Sequence, residues 1–387
     1  MDIKTLKNAF TQRYGEGEVA GYFSPGRVNL IGEHTDYNGG FVFPCALTFG
    51  TNFLIRKTNN PFFRFASMNL PVTEEITFDK LTTPLSKGNW VNYPLGTIAQ
   101  FVKKGLTFDR GADILIYGNV PGGAGLSSSA ALEVVTAVAI NDQYQFGLDQ
   151  ITLVKMSQMA EHEFAGVHCG IMDQFASGMG EKDRAIFLNC DTLEYELVPV
   201  KLNGVKIVIG NTNSPHSLDS GKYNERVAQC KAAVEAIKPY KKINNLAEIS
   251  WDEFLKVEDK IADYVVKRRA RHVVSEIKRT TDAVSQLKAG NLEAFGKLMN
   301  GSHDSLRDDY EVTGNELDTM VEEARKIDGV IGSRMTGGGF GGSTVSLVKD
   351  EAVETFVASV GANYEKRTGL KPEFYVAEIG QGGHRIF

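Results

Sequence analysis

The apolar positions of this 387-residue chain change period several times, and the changes mark its elements. Residues 112–117 alternate and are rich in Ile and Leu, which predicts a strand. Beyond a glycine-rich loop, Leu126, Ala130, Val134, Val135 and Val138 recur at helical spacing. At the start of the chain, Ile3, Leu6 and Phe10 stand among Lys4, Lys7 and Arg13, the pattern of a short amphipathic helix over 1–14. From Val19 to about Phe78 strand-like runs alternate with turns, as in 41–45 and 51–56. Helices are expected over 90–103 and 152–165, and short strands over 184–189 and 195–198. A strand at 205–210 opens a second half that is mostly helical from 222 to 326, with strands again at 330–336, 344–348 and 373–378. No repeat or low-complexity linker separates the halves. The pattern therefore predicts two closely packed domains, 1–200 and 201–387, with a cleft between them.

The loop between the 112–117 strand and the next helix reads Gly118-Asn-Val-Pro-Gly-Gly-Ala-Gly-Leu-Ser-Ser-Ser-Ala-Ala-Leu-Glu133. Glycines opening into a helix leave backbone N–H groups unpaired at the positive end of the helix dipole, which makes an anion site, most often for phosphate. An ordinary turn with a serine N-cap would need one hydroxyl, whereas Ser127, Ser128 and Ser129 follow in succession. The surplus points to a ligand or a metal ion. No lysine follows the glycines as the Walker pattern requires, and G-x-G-x-x-G is absent.

Composition narrows the class. A net charge of −6 argues against general nucleic-acid binding, and no apolar run approaches membrane-spanning length. The N-terminal helix lacks the apolar core of a signal peptide, so a cytoplasmic protein is expected. Cysteines at 45, 169, 190 and 230 show neither C-x-x-C nor zinc spacing and read as buried thiols in a reducing compartment. His162-Glu163 followed by His168 departs from H-E-x-x-H by two places, which argues against zinc. The basic run 267–272 reads as a solvated helix face.

Two further stretches concentrate chemistry. Pro25-Gly-Arg-Val-Asn-Leu-Ile-Gly-Glu-His-Thr-Asp-Tyr-Asn-Gly-Gly40 is a strand running into a polar turn that holds Glu33, His34, Asp36 and Asn38, a set suited to a polyhydroxylated ligand. A salt-bridged surface loop is the plainer reading of the same residues. Arg334-Met-Thr-Gly-Gly-Gly-Phe-Gly-Gly-Ser343 packs five glycines into six positions, so its backbone can approach a ligand closely.

In this order and spacing the three stretches resemble the three motifs of the GHMP kinases, and the first resembles that of the galactokinase branch in particular. The likeness continues through Cys169-Gly-Ile-Met-Asp-Gln-Phe175, Asn213-Ser-Pro-His-Ser-Leu218 and Arg269-Ala-Arg-His-Val-Val274, and so spans nearly the whole chain. The resemblance implies an α+β, two-domain GHMP kinase fold. Its N-terminal domain is of a left-handed β-α-β type related to a ribosomal-protein fold, its C-terminal domain is ferredoxin-like, and the active site lies in the cleft. It implies transfer of the γ-phosphoryl of ATP to the anomeric hydroxyl of galactose, with ATP and Mg²⁺ required and galactose and ATP as the partners of a monomer. Among site residues it implies Asp173 as base with Arg27 beside it. Glu33, His34, Thr35, Asp36, Gly170 and Tyr223 would contact the sugar. Gly123, Ala124, Gly125, Leu126, Ser127, Ser128 and Ser129 would form the phosphate loop, Ser67 would be a nucleotide contact, and Ser129 and Glu161 would be metal ligands.

The resemblance leaves two alternatives. Galactose-sensing regulators of this family lack a Ser-Ala pair in the phosphate loop, but Ser127-Ser-Ser-Ala-Ala131 is complete here. Kinases for N-acetylgalactosamine or arabinose differ in pocket shape, which sequence reads poorly.

Overall fold

A computed structural model describes residues 1–214 and 220–387. Residues 215–218 of the stretch beginning at Asn213 therefore lie outside the described residues.

The first half is organised by a six-stranded sheet. Its order is His384–Arg385, Ala20–Asn29, Pro44–Lys57, Ala112–Gly118, Phe62–Ser67, Glu74–Thr77. All neighbours are antiparallel except Phe62–Ser67 and Ala112–Gly118, which run parallel and are joined by a crossover containing the Asn92–Lys103 helix. The strand predicted over 51–56 is the end of the 14-residue Pro44–Lys57 strand, which pairs with Ala20–Asn29 on one side and Ala112–Gly118 on the other. A three-stranded sheet of Phe41–Val42, Arg184–Asn189 and Tyr195–Pro199 completes this half.

Helix Ser128–Gln143 buries Ala130, Ala131, Val134, Val135, Ala137, Ala139 and Ile140, nearly its whole perimeter. An all-round apolar helix belongs in a core, and it packs against the Ala20–Asn29 and Pro44–Lys57 strands and the Asn92–Lys103 and Gln150–Ala160 helices. Its N-terminus, which carries the phosphate loop, is thereby fixed from several sides.

In the second half, a four-stranded antiparallel sheet has the order Val330–Thr336, Ser343–Lys349, Val205–Asn211, Glu373–Ala377. Numbered within the domain this is 2-3-1-4, the order of a ferredoxin-like β-α-β-β-α-β unit. The helices from Ser220–Ile237 to Gly314–Arg325 fill the first crossover, and Val353–Thr368 fills the second. The boundary proposed at residue 200 falls between the Tyr195–Pro199 and Val205–Asn211 strands, and the end of the chain crosses back to the first sheet at His384–Arg385. One buried cluster contains Val28, Leu47, Ala124, Ile207, Met299 and Val345, so the two halves share a core.

Two expectations change. The helix predicted over 152–165 is α-helical only at Gln150–Ala160; it widens into a π turn at Glu161–Ala165 and stops at Gly166, where φ is +75°. Such turns frequently mark functional sites. The basic run 267–272 is not a simple solvated face. Arg269 and His272 are buried, with Arg269 paired to Glu311 at 2.5 Å, while Lys267 and Arg271 pair with Asp259 and Glu258. Among the described residues the cysteines are free thiols, Cys45 and Cys230 buried and the other two half-buried. Among the described residues no group of three or more His, Cys, Asp or Glu is placed to hold a metal ion, and no helix is long and apolar enough to cross a membrane.

Candidate active site

The three motif stretches meet where the halves of the chain touch. Arg27 N–H donates to the Leu126 carbonyl at 3.1 Å, and a side chain at Gly26 would lie 2.4 Å from that oxygen. From the other half, Ser343 Oγ donates to the Ala124 carbonyl at 2.6 Å. Gly337 has φ +85°, and a Cβ there would fall 3.2 Å from Gly125 O and 3.7 Å from Arg27 Nη2. Bulk at these glycines would hold the motifs apart.

At the junction Arg27 makes a two-pronged ion pair with Asp173. Nε donates to Oδ1 at 2.7 Å and Nη2 to Oδ2 at 2.8 Å, while Nη1 donates to the Gly125 carbonyl at 2.9 Å. Burial works against the Arg27 charge, but Asp173 and then Glu33 outweigh it and push its pKa up. Arg27 is a fixed cation. Ser127, in left-handed conformation at φ +62°, stands at the N-cap of Ser128–Gln143 but makes no capping bond; its Oγ donates to Asp173 Oδ2 at 2.6 Å. The carboxylate thus receives one hydrogen bond at Oδ1 and two at Oδ2. A carboxylate has about four acceptor sites, so the remaining one is on Oδ1. Asp173 also sits in the first turn of helix Met172–Met179, where the dipole favours negative charge. With 28% of its side chain exposed, it can be reached from the cleft.

Below the phosphate loop, Ser129 Oγ donates to Glu161 Oε1 at 3.1 Å. Gln174 Nε2 bridges two carboxylates, Glu161 at 2.6 Å and the fully buried Glu133 at 3.0 Å. Burial raises the Glu161 pKa to about 7, and Asp173 adds to the rise. Burial also lifts Glu133 well above the usual carboxylate range, with Glu161 the next cause. A hydroxyl and a carboxylate side by side at a helix N-terminus, with a second carboxylate behind, are hard oxygen donors in a region short of positive charge. That set fits Mg²⁺. Ser67 ends the Phe62–Ser67 strand, opposite Ile116 of the parallel strand that leads into the phosphate loop. Its Oγ accepts from Asn69 N–H at 3.0 Å, and the Asn69 side chain is tied to Gly118, where the loop begins.

The polar turn divides its residues between two directions. Glu33 is fully buried: its carboxylate accepts from Gly337 N–H at 2.5 Å and from Asn29, and it faces Arg334 at 3.5 Å. Burial raises its pKa, and Arg334 opposes the rise. Thr35 Oγ1 bonds the carbonyls of Gly32 and Phe41 and closes the turn. Asp36, by contrast, is half-buried with its carboxylate directly over Gly170, where an added Cβ would fall 1.9 Å from Oδ2. His34, at φ +62°, packs its ring against Tyr37, Tyr223 and Tyr310. Burial holds its pKa down at about 3, so the ring is neutral. Its Nδ1 lies 2.9 Å from Tyr37 Oη, and its buried Nε2 has no partner.

Asp173, Arg27, Ser127, Ser129, Glu161, Asp36, His34, Gly170 and Tyr223 therefore lie in one region, while the Glu33 carboxylate and the Thr35 hydroxyl are taken up by structural bonds. Sequence reasoning missed Ser127 as an Asp173 partner, together with Gln174, Glu133, Glu276 and Arg334. The first three were visible as polar residues inside quoted stretches. Arg334 opened the third motif without a role, and Glu276 carried no signal beyond a charge on a charged helix.

Comparison with known proteins identifies the family. The galactokinase galactose-binding signature matches residues 8–57, the N-terminal domain of GHMP kinases residues 92–181, and their C-terminal domain residues 283–366. The chain is 51% identical to a galactokinase of Fusobacterium nucleatum over 99% of its own length and 98% of the relative's. It is 50% identical to a galactokinase of Clostridium acetobutylicum over 98% and 97%. Among solved structures, Lactococcus lactis galactokinase complexed with galactose superposes with a TM-score of 0.97 at 44% identity, covering 99% of this chain and 100% of that one. A mevalonate kinase, at 19% identity and TM-score 0.64, shares the fold. On these grounds the chain belongs to the galactokinase family of the GHMP kinases.

Proposed function

We propose that this enzyme transfers the γ-phosphoryl of ATP to the C1 hydroxyl of α-D-galactose, giving galactose 1-phosphate and ADP. The observation that carries the reading is the Arg27–Asp173 pair, open on one side, at the meeting point of a glycine-rich anion loop and a polar turn.

A sugar hydroxyl is a weak nucleophile until its proton is taken. The free acceptor site on Asp173 Oδ1 takes that proton. Arg27 and Ser127 hold the carboxylate in a fixed orientation, and Arg27 also faces the charge that develops on the transferring phosphoryl. The backbone N–H groups of the phosphate loop, at the N-terminus of Ser128–Gln143, bind the phosphate oxygens. The Asp36 carboxylate offers hydrogen-bonding groups to the sugar, and Gly170, lacking a Cβ, makes room for that carboxylate. Ser129 and Glu161 would hold Mg²⁺, which when bound neutralises phosphate charge.

Substitution separates these roles. Ser129→Ala and Glu161→Gln should each raise the Mg²⁺ concentration for half-maximal rate by about 10-fold or more. Galactose binding without nucleotide, measured by calorimetry, should stay within about twofold, on the order of 0.4 kcal/mol. Equal loss of sugar affinity would remove both residues from the metal site. The reaction itself is tested by a coupled ADP-release assay over galactose, glucose, 2-deoxygalactose, N-acetylgalactosamine and arabinose, in which galactose should give the highest kcat/KM.

A further inference from the structure

Helix Tyr264–Lys288 lies behind the polar turn and grips it along one face. His272, Glu276 and Thr280 stand four residues apart, so their side chains stack on the same side of the helix. Glu276 Oε1 accepts from Gly32 N–H at 3.0 Å and Glu33 N–H at 3.4 Å. His272 Nε2 lies 3.1 Å from the Glu33 carbonyl, and Thr280 Oγ1 lies 3.0 Å from where a Gly32 Cβ would stand. Between them Ile277 closes over Gly40, at the far end of the turn.

The chemistry of these groups is fixed by burial. A carbonyl can only accept, so His272 must carry its proton on Nε2. Ser305 Oγ lies 2.9 Å from Nδ1 on the other side of the ring and also reaches Asp309 Oδ2 at 3.2 Å. Burial lowers the His272 pKa to about 4, so a neutral ring in this one tautomer is what the site holds. Glu276 is fully buried, yet Arg279, Arg334 and Ser302 Oγ, which donates at 2.5 Å, surround it and keep it ionised. An ionised acceptor makes the stronger hydrogen bond to a backbone N–H. The backbone it holds is unusual: Gly32 has φ +99° and His34 φ +62°, a conformation that side-chain-bearing residues rarely adopt.

We propose that Glu276 and His272 are positioning residues for the sugar, which cap the backbone of Gly32 and Glu33 and hold the turn carrying His34 and Asp36 in its binding conformation before galactose arrives. Neither is placed to touch the sugar; they act by removing the cost of ordering the turn. The inference rests on the reading that this turn binds galactose.

The test is calorimetric titration of galactose, without nucleotide, into the wild-type chain and Glu276→Gln, with ADP titrated separately. The amide keeps the shape but loses the charge, so the galactose Kd should rise about 10-fold and the ADP Kd should change by less than about twofold. A folded variant that binds galactose as the wild type does, or that loses both ligands equally, would overturn the proposal. Amide exchange of the sugar-free wild-type chain gives a check that needs no variant: Gly32 and Glu33 should be strongly protected. Rapid exchange there, slowed only on adding galactose, would overturn it as well. A wild-type chain that binds no galactose sinks the functional reading, whereas wild-type binding with no effect of Glu276→Gln sinks this inference alone.

Discussion

Asp173→Asn is expected to lower kcat by about 10²–10⁴-fold, the range of a general-base contribution, while galactose still binds. The amide is nearly isosteric, but its oxygen cannot accept the hydroxyl proton. It also meets Arg27 poorly, because the guanidinium donates to both oxygens of the carboxylate and an amide offers one. Arg27 is 4% exposed and would be left partly unpaired in the protein interior. Breaking such a pair costs stability, though the 28% exposure of Asp173 admits water and softens the loss. A lower Tm should therefore accompany the lower kcat. The measurement is single-turnover phosphorylation beside calorimetric galactose binding in the same variant. A kcat near the wild-type value would remove Asp173 from the chemical step.

How far the sequence reveals this site depends on which physical signal each residue leaves. Asp173, Arg27 and Ser129 lie in stretches whose composition is unusual for plain turns, and the geometry brings them together. The Ala112–Gly118 strand and Ser128–Gln143 helix were legible because their apolar periods are long and clean. The π turn at Glu161–Ala165 was not, since widening by one residue leaves no mark on hydrophobic spacing, although it sets where Glu161 points. By residue type alone the polar turn reads as one ligand-facing set. In the fold, the left-handed conformation of His34 rotates the chain so that Glu33 and Thr35 face the protein and Asp36 faces Gly170. Side-chain direction at such a turn depends on φ, which residue type alone does not reveal when the residue is not glycine. Glu276 and Arg334 were hidden for another reason. A buried charge looks like a surface charge until its partners are known, and apart from Arg279 on the same helix these partners come from elements tens to hundreds of residues away.

Asp36 should decide which sugar the enzyme accepts, and its carboxylate also sets a pH dependence. Galactose and glucose differ only in the orientation of the C4 hydroxyl, so discrimination requires an acceptor fixed in direction. Asp36 is such a group: it lies on the turn closed by Thr35 and packs over Gly170. A hydrogen bond to a charged group is worth about 1.5–3 kcal/mol, and the wrong epimer would also leave the carboxylate poorly paired. Together these give a preference of about 10²–10⁴ in kcat/KM. Burial, and then repulsion from Asp173, raises the Asp36 pKa to about 7 from the usual 3.8. The folded pKa lies above the unfolded one, so Asp36 contributes stability below about pH 4 that is lost as pH rises through about 7. Sugar binding has the opposite requirement, because the ionised form is the better acceptor. Galactose kcat/KM should therefore fall as pH drops below about 7, where Glu161 titrates as well, and Asp36→Asn should make that limb shallower while raising the Tm of the sugar-free protein at pH 8. Asp36→Ala should reduce galactose phosphorylation far more than it reduces ATP binding and should narrow the gap to glucose. The measurement is kcat/KM for both sugars from pH 6 to 9 in wild type and both variants. If the variants keep the full preference for galactose, the epimer is being read by other groups in the cleft, and His34, with its unpartnered Nε2, is the next to test.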